Sequence, residues 1–144
     1  MSPGIFAAFC EHGICYSFEI MERFESPNVP FTLLLTRFAT TPAVVMYDNA
    51  CHLHSYCLNR EPRHFRNAKF LIDSLHWPYH TACSSGYRLD AYPQYKMLNS
   101  QVAEQMNASL QRIKVQISYM KQDNFLWHCR VFMWWRNSKK LSPK

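Results

Sequence analysis

The sequence predicts a mixed α/β fold, and three observations carry that reading. Two short apolar runs, Ala43 to Met46 and Ala68 to Ile72, are too brief for helices, and an acid follows each, Asp48 and Asp73. From Ile14 to Met21 apolar and polar residues alternate with the period of a strand. Near the C-terminus two longer segments instead repeat apolar residues at helical spacing.

Taken in order, the short apolar run Gly4 to Phe9 precedes a turn at Glu11-His12-Gly13, and the alternating run follows. The pair reads as a β-hairpin. Ser26-Pro27 has the form of an N-cap followed by proline at the first helical position. Phe31, Leu34, Leu35 and Phe38 then fall at i, i+3, i+4 and i+7, one face of an amphipathic helix that Thr41-Pro42 closes. The buried strand ending at Asp48 comes next. A short helix is predicted over Asn49 to Leu58, stopped before Pro62, and a second buried strand ends at Asp73. The Pro, Gly, Ser and Tyr content of Ser74 to Met97 predicts irregular structure, and so long a loop needs a metal or a binding role to justify it. Asn99-Ser100 opens the longest helix, to about Met120, with the stripe Val102, Met106, Leu110, Ile113, Ile117 and Met120. A last helix spans about Asn124 to Asn137. The residues from 138 to 144 read as a basic, frayed tail. Strand–helix–strand implies a parallel pair. An antiparallel hairpin leading into such a unit is the order of an RNase H-like fold.

The 144 residues suit one domain, placed at 1–137. A content of 48% hydrophobic and 15% aromatic residues excludes a disordered chain. No apolar run is long enough to span a membrane, and the N-terminus lacks the basic and apolar regions of a secretory signal. An intracellular, reducing location is therefore expected, where six cysteines act as buried thiols or metal ligands. The net charge of +6 suits an anionic partner such as DNA, though ordinary domains reach it too. Three glycines and no G-x-G exclude a glycine-rich phosphate loop, and no serine nucleophile elbow appears.

Asp48 is the foremost catalytic candidate, because a carboxylate at the carboxyl end of a strand stands where α/β folds place ligands and suits Mg²⁺ or Mn²⁺. Its alternative is a helix N-cap. Glu104, early in the long helix, is a second candidate, but its spacing sets it nearly opposite the apolar stripe, as for a solvated first-turn acid. His76, His80 and Cys83 have the i, i+4, i+7 spacing of zinc ligands, with Cys51 as a fourth donor and Cys51-x-x-His54 as an alternative pair. A buried cysteine and two polar loop histidines would account for the same pattern. Trp127, Trp134 and Trp135 with Arg130 and Arg136 read either as core with rim arginines or as a base-stacking surface.

Several blocks together resemble a known family. They are Gly4-Ile5-Phe6, Cys10-Glu11-His12-Gly13, Tyr16, Glu25-Ser26-Pro27, Tyr47-Asp48-Asn49-Ala50-Cys51, Asn59-Arg60-Glu61-Pro62, Asp73 to Cys83, and Asn99 to Gln105. They resemble the transposase-like region of vertebrate HMG domain-containing protein 3 relatives, and through it the Kyakuja–Dileera–Zisupton (KDZ) DDE transposases. The resemblance implies an RNase H-like core in which two aspartates and a glutamate hold divalent metals that cut and join DNA. Asp48 then resembles the second aspartate and Glu104 the glutamate. Cys51, His76, His80 and Cys83 match the positions of a zinc-stabilised insertion. No acid precedes Glu11, so the first aspartate and its central strand are expected to be missing, leaving a catalytically incomplete domain. The alternative is a non-catalytic, zinc-stabilised interaction module of a nuclear host protein.

Overall fold

The computed structural model describes residues 4–21 and 25–143. In chain order the elements are strands β1 (Gly4–Phe9) and β2 (Cys15–Met21), helix α1 (Asn28–Arg37), strand β3 (Val44–Met46), helices α2 (Ala50–Arg60) and α3 (Pro62–Phe65), strand β4 (Lys69–Leu71), and helices α4 (Val102–Ile117) and α5 (Gln122–Leu141). The α/β class stands. The chain divides into two compact units, residues 1–25 with 101–144 and residues 26–100, each with its own two-stranded sheet.

The first unit is built on the hairpin. β1 and β2 are antiparallel from Gly4↔Met21 to Phe9↔Cys15, with a register shift at Ala8/Phe9. Gly13 closes the turn at φ 79°, a left-handed conformation that a side chain would strain. Ile5, Phe18 and Ile20 of the hairpin and Ile113 and Met120 pack around buried Ile117, Phe125 and Cys129. Desolvation raises the buried Cys129 thiol to about 11. Asn137 of α5 clamps β2 with both ends of its amide: Cys15 N–H donates to Oδ1 at 2.9 Å, and Nδ2 donates to the Cys15 carbonyl at 2.9 Å.

α5 departs from expectation in two respects. It continues through Lys140 to Leu141 instead of stopping at Asn137, because cations in a last turn complement the helix dipole and Ser138 and Lys139 do not break a helix. The predicted tail shrinks to its last residues, and Lys144 lies outside those described. Its tryptophans are not core: Phe125, Cys129 and Met133 are buried, whereas Trp127, Trp134 and Trp135 are exposed.

The second unit has the predicted strand–helix–strand order. β3 and β4 pair in parallel, Val44↔Lys69 to Met46↔Leu71. β3 is half-buried, not buried, whereas Phe70, Leu71 and Ile72 are fully enclosed. α2 outlasts its predicted end by two residues. Glu61 interrupts it, and Pro62 then starts the unpredicted turn α3 from its favoured first position. Ala50, Leu53 and Cys57 line the inner face of α2 against Leu34, Phe65, Phe70 and Ile72, and burial pushes the Cys57 thiol up to about 12. α1 starts one residue later than predicted, with Ser26 Oγ accepting from Asn28 N–H at 3.4 Å. The irregular stretch after β4 holds four single 3₁₀ turns and one parallel bridge, Ile72↔Arg88. No helix of the described residues is long and apolar enough to cross a membrane.

Leu53→Ala should cost about 2–5 kcal/mol, because it opens a cavity at a site 1% exposed. Asn137→Ala should cost about 1–3 kcal/mol by leaving the Cys15 backbone groups unpaired. Urea denaturation followed by circular dichroism measures both.

Candidate metal centre

The centre forms where two segments leave the carboxyl edge of the β3–β4 pair. Tyr47 N–H donates to the Leu71 carbonyl at 3.1 Å and extends the pairing past β3. The Tyr47 carbonyl then accepts from Ala50 N–H at 3.2 Å, which starts α2 directly and sets Cys51 on its first turn. After β4 the Asp73 carboxylate turns the chain: Oδ1 accepts from His76 N–H at 2.8 Å, and its carbonyl accepts from Trp77 N–H at 2.9 Å. Trp77 carbonyl to His80 N–H at 2.9 Å, and His80 carbonyl to Cys83 N–H at 3.4 Å, continue the winding. Successive tight turns thus bring His80 and Cys83 back over Cys51.

The three ligand atoms form a small triangle. Cys51 Sγ and Cys83 Sγ are 3.3 Å apart, Cys51 Sγ and His80 Nδ1 3.7 Å, and His80 Nδ1 and Cys83 Sγ 3.4 Å. A tetrahedral zinc with ordinary bond lengths sets its sulfurs about 3.8 Å apart and sulfur and nitrogen about 3.5 Å apart. The donor set is soft, and its spacing matches such an ion to about half an ångström at the sulfur pair and closer for the imidazole. A cation would also reverse the local electrostatics. Burial, then the Cys83 thiol, raise the Cys51 pKa, and Tyr87 is raised by burial and by the same two sulfurs. Backbone hydrogen bonds from Cys51 and His52 oppose the rise at Cys51 without cancelling it, whereas a dication would favour its thiolate. Trp77 lies parallel to the His80 ring at 6.3 Å and helps to orient it.

The other predicted site residues are placed differently. His76 stands outside the triangle. Its Nδ1 is 3.0 Å from both Asp73 oxygens, the carboxylate–imidazole pairing that commonly orients a ligating histidine. Asp73 was legible only as a strand-end acid; the i, i+3 spacing to His76 was the available signal for the pairing. Asp48 is exposed, and the cap position of α2 falls on Asn49 instead. Counting on from the paired Met46 and Leu71, Asp48 and Asp73 end adjacent strands at the same level. Glu104 is exposed in the first turn of α4, in the first unit, whereas Asp48 belongs to the second. Neither is part of the Cys51–His80–Cys83 group.

His54, the alternative partner of Cys51, faces elsewhere. Its ring stacks on Phe70 at 4.8 Å, and Nδ1 is 2.9 Å from the Tyr87 hydroxyl. Further along, Ser74 Oγ donates to Asp90 at 2.7 Å and Arg88 pairs with it at 3.2 Å, and these two hold the Asp90 carboxyl below its usual range.

Burial lowers the His54 pKa in the folded chain, so the unfolded chain takes up its proton first. The stability this contributes is whole above about pH 6.5 and drains as pH falls through the lower folded value. Urea midpoints of metal-free protein should therefore drop between pH 7.5 and 5, and His54→Phe should flatten that drop.

The sequence matches the family described as Kyakuja-Dileera-Zisupton transposase over residues 2–132. Neither a curated protein nor a solved structure matches the chain. The family match runs through both units and takes in Asp48, Glu104 and every Cys and His of the candidate centre. This chain is a member of the Kyakuja-Dileera-Zisupton transposase family.

Proposed function

We propose that residues 1–137 are a transposon-derived, RNase H-like domain of the DDE type, in which a structural zinc ion fastens the loop after β4 and the strand-cutting carboxylate set is incomplete. The observation that carries the zinc part is the convergence of Cys51, His80 and Cys83, 29 and 32 residues apart in sequence, into one triangle of soft donors. His76, oriented by Asp73, is the fourth ligand of this reading and would close a Cys2His2 set. Family membership supports the transposon origin and makes DNA the natural partner. The antiparallel hairpin, the strand–helix–strand unit and the closing helices support the RNase H-like order.

Asp48 and Glu104 take the places of the second aspartate and the glutamate. Divalent ions at such a site, Mg²⁺ or Mn²⁺, supply charge for the attacking and leaving oxygens of a phosphodiester. Asp48 would hold an ion from the edge of β3 and Glu104 from the start of α4. Two carboxylates leave a two-metal site short of ligands, so strand cleavage should be weak or lost. A second reading, a zinc-stabilised and non-catalytic module of a nuclear host protein, is favoured by one observation: the sulfur and imidazole donors lie wholly in the second unit and do not include Asp48 or Glu104.

Protein purified under reducing conditions should hold about one zinc per chain by elemental analysis. Cys83→Ala and His80→Ala should lose it and lower the thermal midpoint, and His76→Ala should weaken zinc affinity at least 10-fold. A chain that binds no zinc but forms a Cys51–Cys83 disulfide overturns the zinc reading. Mn²⁺-dependent nicking of DNA, abolished by Asp48→Ala or Glu104→Ala, overturns catalytic incompleteness.

A further inference from the structure

α5 has two apolar faces, and only one of them has a core to meet. Phe125, Cys129 and Met133 point inward. At roughly 100° per residue, Trp127, Val131, Trp134 and Leu141 fall on the opposite side, with Arg130 beside them. Their exposures are 64%, 54%, 68% and 71%, respectively. Two indoles presented to solvent on one helix face exceed the scatter of single exposed apolar residues that any surface carries.

The face is rigidly mounted. Asn137 holds the helix to β2 through two hydrogen bonds, and Arg136 Nη1 donates to Ser109 Oγ on α4 at 2.6 Å. Arg130 supplies a cation beside the face, Lys139 flanks it with Nζ 4.1 Å from the Trp135 ring centre, Lys140 turns toward the hairpin, and no acid follows Asp123. At its C-terminal end the face meets a cleft of about 480 Å³ lined by His12, Tyr16, Lys140 and Leu141 among others. Lys140 Nζ sits over the hairpin turn there, 3.0 Å from where a Gly13 side chain would begin. Glu11 is the acid of that turn.

We propose that this face of α5, from Trp127 to Leu141 and on into the cleft, binds single-stranded DNA, with bases stacking on Trp127 and Trp134 and phosphates meeting Arg130, Lys139 and Lys140. Aromatic rings set among cations are the chemistry that takes up unpaired bases and their backbone. Trp127 and Trp134 are about 10 Å apart along the helix, room for each to take a separate base. An indole face can take a base only when that base is unstacked from its neighbours, which a duplex does not offer. A second copy of the chain fits poorly, because a two-fold contact through this face would set its cations against one another. The proposal extends the transposon-derived reading and rests on it in one respect, the choice of DNA over RNA.

Fluorescence anisotropy of the full chain, with its metal content measured on the same preparation, tests it, using labelled oligo(dT) and oligo(rU) of about 15 nucleotides, a duplex of equal length, and vesicles of phosphatidylserine. Oligo(dT) should bind tightest. Trp127→Ala and Trp134→Ala should each weaken it roughly 5- to 100-fold with an unchanged urea midpoint, and Trp134→Phe should recover part of the loss. Arg130→Ala and Lys139→Ala should each reduce the salt slope by about 0.7. Unchanged affinity in the double tryptophan variant overturns the proposal, as does tighter binding of the duplex, the RNA or the vesicles. Failure of the zinc reading shows separately, as absent metal with intact Trp-dependent DNA binding.

Discussion

The second unit depends on the backbone pairing of β4. This strand is only three residues long, yet with Ile72 just after it the segment is bonded on both sides. Lys69 N–H donates to the Ala43 carbonyl at 2.9 Å and Leu71 accepts from Tyr47, while Ile72 donates to Tyr87 at 2.7 Å and accepts from Leu89 at 3.0 Å. The first pair of bonds fixes where α2 begins and so where Cys51 stands. The second pair fixes where the loop after Asp73 returns. With both ends of that loop sewn to one strand, His80 and Cys83 have little choice of position, and the winding set by Asp73 carries them over Cys51. The candidate centre follows from strand pairing more than from local ligand spacing.

This constraint also explains why a metal suits the site. The loop between Asp73 and Tyr87 buries few side chains, and its turns are held by single hydrogen bonds. Ordering it costs backbone entropy of about 1–2 kcal/mol per residue, which sparse apolar contact does not offset. A structural zinc contributes binding energy directly to the folded form. Burial and the neighbouring sulfurs raise the Cys51 and Tyr87 pKa values in this half-buried site. The same closeness that disfavours a pair of anions there would favour them around a dication.

How much of this was legible in the sequence depends on the question asked of it. The hairpin, α1 and the strand–helix–strand unit were readable, because period two and period 3.6 report which residues share a face. Cys51, His80 and Cys83 were readable as donor types at ligand-like spacings. The pairing of His76 with Asp73 was not, since His76 has the right spacing for the ligand set and only the turn at Asp73 shows where its Nδ1 goes. α5 stayed ambiguous for a related reason. Apolar residues on both of its faces make the periodicity degenerate, so Phe125, Cys129 and Met133 look no more core-like than Trp127, Val131 and Trp134. Periodicity identifies a face; it carries no information on whether anything covers it. The short helix α3 and the extra turn of α5 escaped because proline and lysine were read only as stops.

The two units differ in what they need to stay folded. An isolated two-stranded sheet is marginal in water. The hairpin is backed by α4 and α5 and clamped by Asn137, so the first unit carries its own fastening. The second unit has a compact core around Leu53, Cys57 and Phe65 but a sparsely packed loop, for which a metal is the natural fastening. The thiol–imidazole triangle needs only the second unit, and the tryptophan face only the first. Each of these features is thus built within one unit, so a substitution that disturbs one need not disturb the other.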